Sequence, residues 1–331
     1  MTLPRILDFP PLPTARPETF PDERQNKEDL WQKRLAIEHG RAPSWSGRGR
    51  RAFHLAAQYF LIPVLRCGLK TLGLLDRGKR NALAPQISRQ RFVMDILPES
   101  FCGLKILHLS DLHIDGMPGL AEQIVECTRP LDIDLCVLTG DYRFHVSGPC
   151  DGIYPAMEKM LKGIHPRLGT FGILGNHDVS EEVAELEQLG IKMLVNDAVE
   201  IQEGAESLWL IGLDDPHYYG CDDLGGTLRS VPQDDFTLLL VHTPEIIQEA
   251  AAHGIDLYLC GHTHGGQIAL PFIGPPLVNA SCKRHYTQGR WQYHALQGYT
   301  STGVGSSGLP VRFLCPPEIG LIELRCPRHN S

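Results

Sequence analysis

The sequence predicts an α/β fold, on three observations. From about Pro98 onward, short strand-like apolar runs alternate with helix-like segments. Five of those runs, residues 104–109, 135–139, 171–174, 237–241 and 256–260, each lead into a polar block carrying Asp, Asn or His. An apolar share of 42% over 331 residues is enough for a substantial core. The polar blocks therefore gather where strands end in loops, which is where open α/β sheets bind ligands.

In chain order, residues 1–26 are polar and proline-bearing with no sustained periodicity, and residues 27–40 mix acids and bases as a solvated helix would. Together they form a flexible polar N-terminal segment, 1–40. Residues 41–95 are basic and amphipathic. Between Arg41 and Arg91 there are eleven Lys/Arg and one acid, a net of +10, so the rest of a chain whose total is −8 carries −18. Such segregation points to an anionic partner for this stretch. Within it, residues 52–75 hold an uncharged run of 14, 52–65, short of the ~20 needed to span a bilayer. Pro63, Arg66 and Lys70 argue further for docking on an anionic membrane surface, against the alternative of a helix packed on the catalytic domain. The run starts too far from Met1 for an ordinary secretory signal, which favours a cytoplasmic enzyme peripheral on the inner membrane. The catalytic domain is expected over 96–327, with helices at 120–128, 154–164, 181–189 and 244–253 and further strands at 198–202, 207–213 and 319–324. Ten scattered cysteines without a Cys-x-x-Cys pair fit buried thiols in a reducing compartment.

The polar blocks carry the chemistry. Asp111-Leu112-His113, Gly140-Asp141, Gly175-Asn176-His177-Asp178, His242 and Gly261-His262-Thr263-His264 supply ligands for two adjacent divalent metal ions. Such a pair, roughly 3.5–4 Å apart, clamps a phosphoryl group and activates water for in-line attack. One carboxylate has to bridge, and Asp141 following its strand can present both oxygens. Neutral imidazoles and the Asn176 carbonyl complete the shells while limiting negative charge near an anionic substrate. No cysteine lies in the blocks, and mixed nitrogen and oxygen ligation suits Mn²⁺, Fe or Zn²⁺ in a catalytic role. Singly, each block is an ordinary turn or cap; the ordered set is what carries the reading.

That ordered set resembles the calcineurin-like metallophosphoesterase superfamily over roughly the last 230 residues. The resemblance implies a four-layered αββα sandwich, one ion held by Asp111, His113, Asp141 and His264, and the other by Asp141, Asn176, His242 and His262. It implies that His177 contacts the substrate phosphate and protonates the leaving oxygen. Asp178 either orients His177, caps the helix near Val179, or acts directly. The run from Gly261 to Gln267, with Leu270-Pro271 and residues 308–313, resembles a bacterial, often membrane-associated phosphodiesterase branch that includes UDP-2,3-diacylglucosamine pyrophosphatases of lipid A synthesis. Thr302 departs from it, standing where many relatives carry arginine. Asp141 is followed by Tyr142-Arg143-Phe144-His145 and not by Asp-Arg-Gly, which argues against a protein phosphatase.

Arg143, His145 and Asp215 are the candidate substrate-binding residues. Asp215 sits in a segment, Asp214 to Tyr219, that forms either a loop over the site or a polar turn; Arg143 either reaches a phosphate or supports the ligands from behind. Residues 303–308 are glycine-rich enough for backbone amides to approach a phosphate. The expected function is dinuclear-metal-dependent hydrolysis of a phosphodiester or pyrophosphate in a phosphorylated small molecule or lipid, with UDP-diacylglucosamine as one substrate. The alternatives are a broad phosphodiesterase for nucleotides or phospholipid headgroups, and, in another class, a non-catalytic scaffold, which retention of every proposed ligand disfavours. No nucleic-acid partner is expected.

Overall fold

The computed structural model describes residues 23–42, 60–276 and 278–327. Most of the expected polar segment at the N-terminus and the first part of the apolar run, 52–59, lie outside the described residues.

Two six-stranded sheets form the centre of the fold. The first has the order β1 (Gln86–Val93), β12 (Glu318–Arg325), β2 (Lys105–Leu109), β3 (Leu135–Leu138), β4 (Thr170–Gly172) and β5 (Ile191–Met193). The second has the order β10 (Gly289–Tyr293), β11 (Leu296–Thr300), β9 (Leu257–Cys260), β8 (Thr237–Leu240), β7 (Glu206–Gly212) and β6 (Asp197–Glu203). β2 to β5 run parallel, as do β7, β8, β9 and β11; β12 is antiparallel to β2 and parallel to β1.

Parallel strands covered on both faces read as continuous apolar runs, and β3, β8 and β9 are buried at every position. Alternation still sorts their side chains. Ile106 and Val137 point between the sheets, where they meet Leu210, Leu238 and Leu259, whereas Leu107 and Cys136 face outward. That outer face is covered by helices Leu120–Thr128, Tyr154–Leu161 and Glu182–Gln188 through Ile124, Met157 and Leu186. The second sheet is covered by Leu224–Thr227 and Ile247–Ala252. Helix, sheet, sheet, helix is the expected four-layered α/β sandwich. Each fully buried Leu, Ile or Phe contributes about 1.5–3 kcal/mol.

The N-terminal region departs from expectation in two ways. The expected solvated helix is present as α1 (Glu23–Glu38), but it is not free of the domain: Arg34 is fully buried and Ile37 nearly so. The Arg34 guanidinium pairs with Asp214, bonds Glu38 at 2.9 Å and the Asp178 carbonyl at 2.6 Å, and lies 3.9 Å from the Tyr219 ring centre. The basic segment assigned to membrane docking also contains β1, which pairs with β12 from Gln86↔Glu318 to Val93↔Arg325 and so belongs to the first sheet. Between them lie α2 (Ile62–Thr71) and α3 (Leu75–Ala82), separated by a turn at Gly73, whose φ of 68° favours glycine.

These contacts generate a prediction about truncation. A chain lacking residues 1–90 loses Arg34, stranding the buried Asp214 carboxylate, and most of β1. Loss of one partner of a buried pair costs about 3–5 kcal/mol, so the melting temperature should fall by roughly 10 °C or more. Scanning fluorimetry checks this; an unchanged melting temperature would show that α1 and β1 are accessories.

Candidate metal centre

Strand ends from both sheets deliver the site. β2 leads to Asp111 and His113, β3 to Asp141, β4 to Asn176 and His177, β8 to His242, and β9 to His262 and His264. Main-chain bonds stitch the ends together: Asp111 N–H to the Gly140 carbonyl at 3.0 Å, and Gly261 N–H to that of His242 at 2.9 Å. Gly140 presses on Gly175, where a Cβ would come within 2.5 Å of the Gly175 nitrogen. Five of the seven expected ligands, Asp111, His113, Asp141, His262 and His264, have φ between 40° and 69°. Non-glycine residues rarely adopt this left-handed conformation, and a cluster of them is a mark of a functional site.

All seven side chains converge in one buried place. Three overlapping groups, Asp111/His113/His264, His113/Asp141/His177 and Asp141/His242/His262, each bring one ligand atom per residue within 4.8 Å of the others. His113 and His264 face each other Nε2 to Nε2 at 3.2 Å, and Asp111 Oδ1 lies 3.4 Å from His264 Nε2. On the other side, Asn176 Oδ1 is 3.0 Å from His242 Nε2 and 2.8 Å from His262 Nδ1. Ligands about 2.0–2.2 Å from one ion stand roughly 3–3.5 Å from one another, so these spacings suit a cation between them. Asp141 joins the two sides through a single oxygen: Oδ2 is 3.3 Å from His242 and 3.7 Å from His113, while Oδ1 accepts the His177 amide at 2.8 Å.

Orientation comes from the atoms that do not face the centre. His113, His242 and His177 donate their Nδ1–H to the carbonyls of Arg143, Thr139 and Phe144 at 2.7–2.8 Å, which turns each Nε2 inward. Asp111 Oδ2 accepts from the Ser110 hydroxyl and the His262 amide, whereas Oδ1 is buried with no hydrogen-bond partner. An orphaned buried carboxylate oxygen is costly unless a cation meets it. Burial pushes His113 down to about 3 and His262 and His264 well below the ordinary range, so these rings offer lone pairs. Burial alone would raise Asp141, but His242 and His177 hold it well below the usual carboxylate range. The donor set fits two divalent ions.

The remaining expected site residues fall elsewhere. Asp178 neither orients His177 nor caps a helix: its buried carboxylate accepts the amides of Asp141, Gly175 and Tyr142 at 2.7–2.8 Å, tying two ligand loops together. Arg143 is buried and faces Glu182 and the Gly148 carbonyl. Asp215 is spent on the amides of His217, Tyr218 and Tyr219. In both, the side chain is engaged with protein groups, Glu182 and a carbonyl for Arg143 and three amides for Asp215, which is the supporting role that was the alternative to substrate contact. His145 is exposed, stacked edge-on to Phe144. In the 303–308 stretch the amides of Val304 and Gly305 bond the carbonyls of Ser110 and Asp111, which ties it to a ligand loop. Three residues were given no individual role by the sequence reading. His217 places its ring 4.3 Å from that of His262; Arg312, fully buried, lies 3.2 Å from His264 Nδ1; and Arg34 bonds the Asp178 carbonyl. The place of His217 in the segment read as a loop over the site, and of Arg312 in a motif-like run, offered some signal; Arg34 offered none.

Comparison with known proteins agrees with this geometry. A family model described as calcineurin-like phosphoesterase matches residues 104–266. The uncharacterized metallophosphoesterase YkuE of Bacillus subtilis is 29% identical over 70% of this chain and 82% of its own. The phosphodiesterase YaeI of Escherichia coli is 32% identical over 66% of this chain and 82% of its own. A transmembrane protein with metallophosphoesterase domain from Bos taurus is 30% identical over 88% of this chain and 67% of its own.

The geometry predicts that Asp141→Ala, which removes the atom common to both groups, lowers bound metal from two ions per chain to one or none. His262→Ala should chiefly weaken one ion. Elemental analysis after gel filtration reads the stoichiometry, and two retained ions in both variants would reject the ligand set.

Proposed function

The chain belongs to the calcineurin-like metallophosphoesterases and is a metal-dependent phosphoester hydrolase, and from that premise we propose that it cleaves a phosphodiester or pyrophosphate bond in an amphiphilic substrate at an anionic membrane surface. The observation that carries the reaction class is the shared position of Asp141 Oδ2 between two imidazole-rich groups. When bound, two divalent ions, with Mn²⁺ the proposed native metal, polarise the phosphoryl oxygens and activate water. Asp111, His113 and His264 would hold one, Asn176, His242 and His262 the other, and Asp141 both. The protein's own acid is His177. Its Nδ1–H is fixed on the Phe144 carbonyl, so Nε2 faces the cavity at 3.9 Å from Asp141 Oδ2, where as an imidazolium it can hand its proton to the leaving oxygen.

The membrane part of the reading is supported by the surface. Phe60, Leu61, Val64, Leu65 and Leu72, on and around α2, are 40–71% exposed, and so are Leu270, Ile273 and Leu314; Phe272 is fully exposed. A monomer rarely leaves so many large apolar side chains in water. Leu69 of α2 packs with Leu309 and Val311, and Ile268 and Phe313 join the same cluster, so helix and loop share one base. Arg66, Lys70, Arg77, Lys79, Arg80, Lys283 and Arg284 are exposed beside them, which suits anionic headgroups. Loop 270–273 follows His264 by six residues, so a docked enzyme would bring its site to the interface. No helix among the described residues is long and apolar enough to cross a membrane. We propose UDP-2,3-diacylglucosamine in lipid A synthesis as the specific substrate and the cytoplasmic face as the location. The second reading, a broad phosphodiesterase on nucleotides or headgroups, draws support from the name of its relative YaeI.

The substrate is tested by comparing kcat/KM of the Mn²⁺-loaded enzyme on UDP-2,3-diacylglucosamine, bis(p-nitrophenyl) phosphate and p-nitrophenyl phosphate. The proposal expects the lipid pyrophosphate to lead and the monoester to trail; equal values on both diphosphate and soluble diester favour the broad enzyme. Vesicle binding should weaken with salt, since screening acts over about 8–10 Å near physiological ionic strength, and Phe272→Ser should remove the salt-resistant part.

His177→Ala is expected to keep both ions and slow turnover by roughly 10²–10⁴-fold on a poor leaving group, with a smaller loss on nitrophenolate. Equal losses on the two would assign His177 to phosphate positioning.

A further inference from the structure

We propose that α1 is a splint for the catalytic loops and that Arg34 is a positioning residue of the hydrolytic site, an inference that rests on the site described above. Arg34 stands in the least core-like part of the sequence, between Lys33 and Leu35 in a helix whose neighbours are largely charged or amide-bearing. Yet its guanidinium is fully buried among Asp214, Glu38 and the Tyr219 ring. One of its terminal nitrogens donates to the main-chain carbonyl of Asp178 at 2.6 Å. The side chain of that same Asp178 accepts the amides of Asp141, Tyr142 and Gly175, which fixes the turn carrying the bridging carboxylate.

One turn along α1, Glu38 grips the next part of the same loop. Its two oxygens accept the Ser180 amide at 2.9 Å and the Ser180 hydroxyl at 2.6 Å. Two side chains of α1 therefore hold positions 178 and 180 of a loop that begins with Asn176 and His177. Neither touches the convergent ligand atoms. Their effect passes through the backbone. A guanidinium suits this task because one rigid planar fork serves a carboxylate and a carbonyl together, which the single nitrogen of an ammonium does with less reach and a less fixed geometry. A segment remote in sequence from every ligand thus completes the support of the site.

The test uses full-length, Mn²⁺-loaded protein with Arg34→Ala, Arg34→Lys and Glu38→Ala, assayed on bis(p-nitrophenyl) phosphate. Loss of such outer support typically costs about 10–100-fold. The expected result is a kcat lower by that factor in Arg34→Ala, with KM little changed and both ions retained. Arg34→Lys should recover part of the loss, millimolar guanidinium should restore Arg34→Ala, and Glu38→Ala should lose less. Hydrogen exchange gives a readout independent of turnover: amides in peptides covering 141–142 and 175–180 should exchange faster in Arg34→Ala while the strands stay protected. If wild type itself fails to hydrolyse the diester, the functional reading falls and exchange still decides the splint. Unchanged exchange in both alanine variants overturns it, as does unchanged kcat in an active enzyme. If Arg34→Ala unfolds, normal kcat and exchange in Glu38→Ala reject the proposal and a selective loss there upholds it.

Discussion

The site depends on holding backbone in a conformation that L-residues avoid. Asp111, His113, Asp141, His262 and His264 all turn through the left-handed region as they leave their strands. Each such residue costs on the order of 1–3 kcal/mol, and the arrangement persists only because its surroundings over-determine it. Those surroundings are mostly hydrogen bonds to main chain. Asp178 takes three amides, Asp111 takes that of His262 from the opposite sheet, and Asp141 takes that of His177. Carboxylates next to the ligands thus act first as clamps on the polypeptide.

The same logic orders the electrostatics. Buried imidazoles and carboxylates in this density repel, compete for protons and lose hydration, and such groups persist when they are paired or coordinate metal. His113 and His242 have their outward nitrogens committed to carbonyls, so their inward nitrogens are already aimed where cations would sit. Support also comes from cations set one layer out. Arg312 bonds the carbonyls of Thr302, Gly303 and His264, and Arg34 that of Asp178. They stabilise loops whose other face must tolerate an anionic substrate.

How much of this was legible follows from what the sequence encodes locally. Strands buried on both faces announce themselves as apolar runs, which is why β2, β3, β8 and β9 and the ligand blocks after them could be read in order. β1 could not: it is mostly solvated, carries Arg89 and Arg91, and owes its place to pairing with β12 more than to an apolar face. β10 is largely solvated and β11, though buried, is short and polar, and Trp291 packs against Gly298 in a way no local pattern reveals. Arg34 looks like any solvated helical arginine because its partners lie 144 and 180 residues away. Arg143 and Asp215 show the limit from the other side: closeness to a motif did not tell that their side chains engage Glu182, a carbonyl and backbone amides. Side-chain type and spacing identify a donor set; they do not say which way a neighbouring polar group turns.

The placement of β12 has a consequence for how the chain is made. It is the last strand in sequence, yet it lies inside the first sheet, between β1 and β2. During synthesis, β1 and β2 leave the ribosome more than two hundred residues before the strand that joins them. Until Arg325 emerges, the facing edges of both remain unpaired, open to wrong partners. Contacts of such sequence separation form slowly, since loop closure has to precede any gain from pairing. The nascent chain therefore waits on residues 318–325 with β1 and one edge of β2 unpaired, a state in which chaperone engagement and aggregation compete with folding.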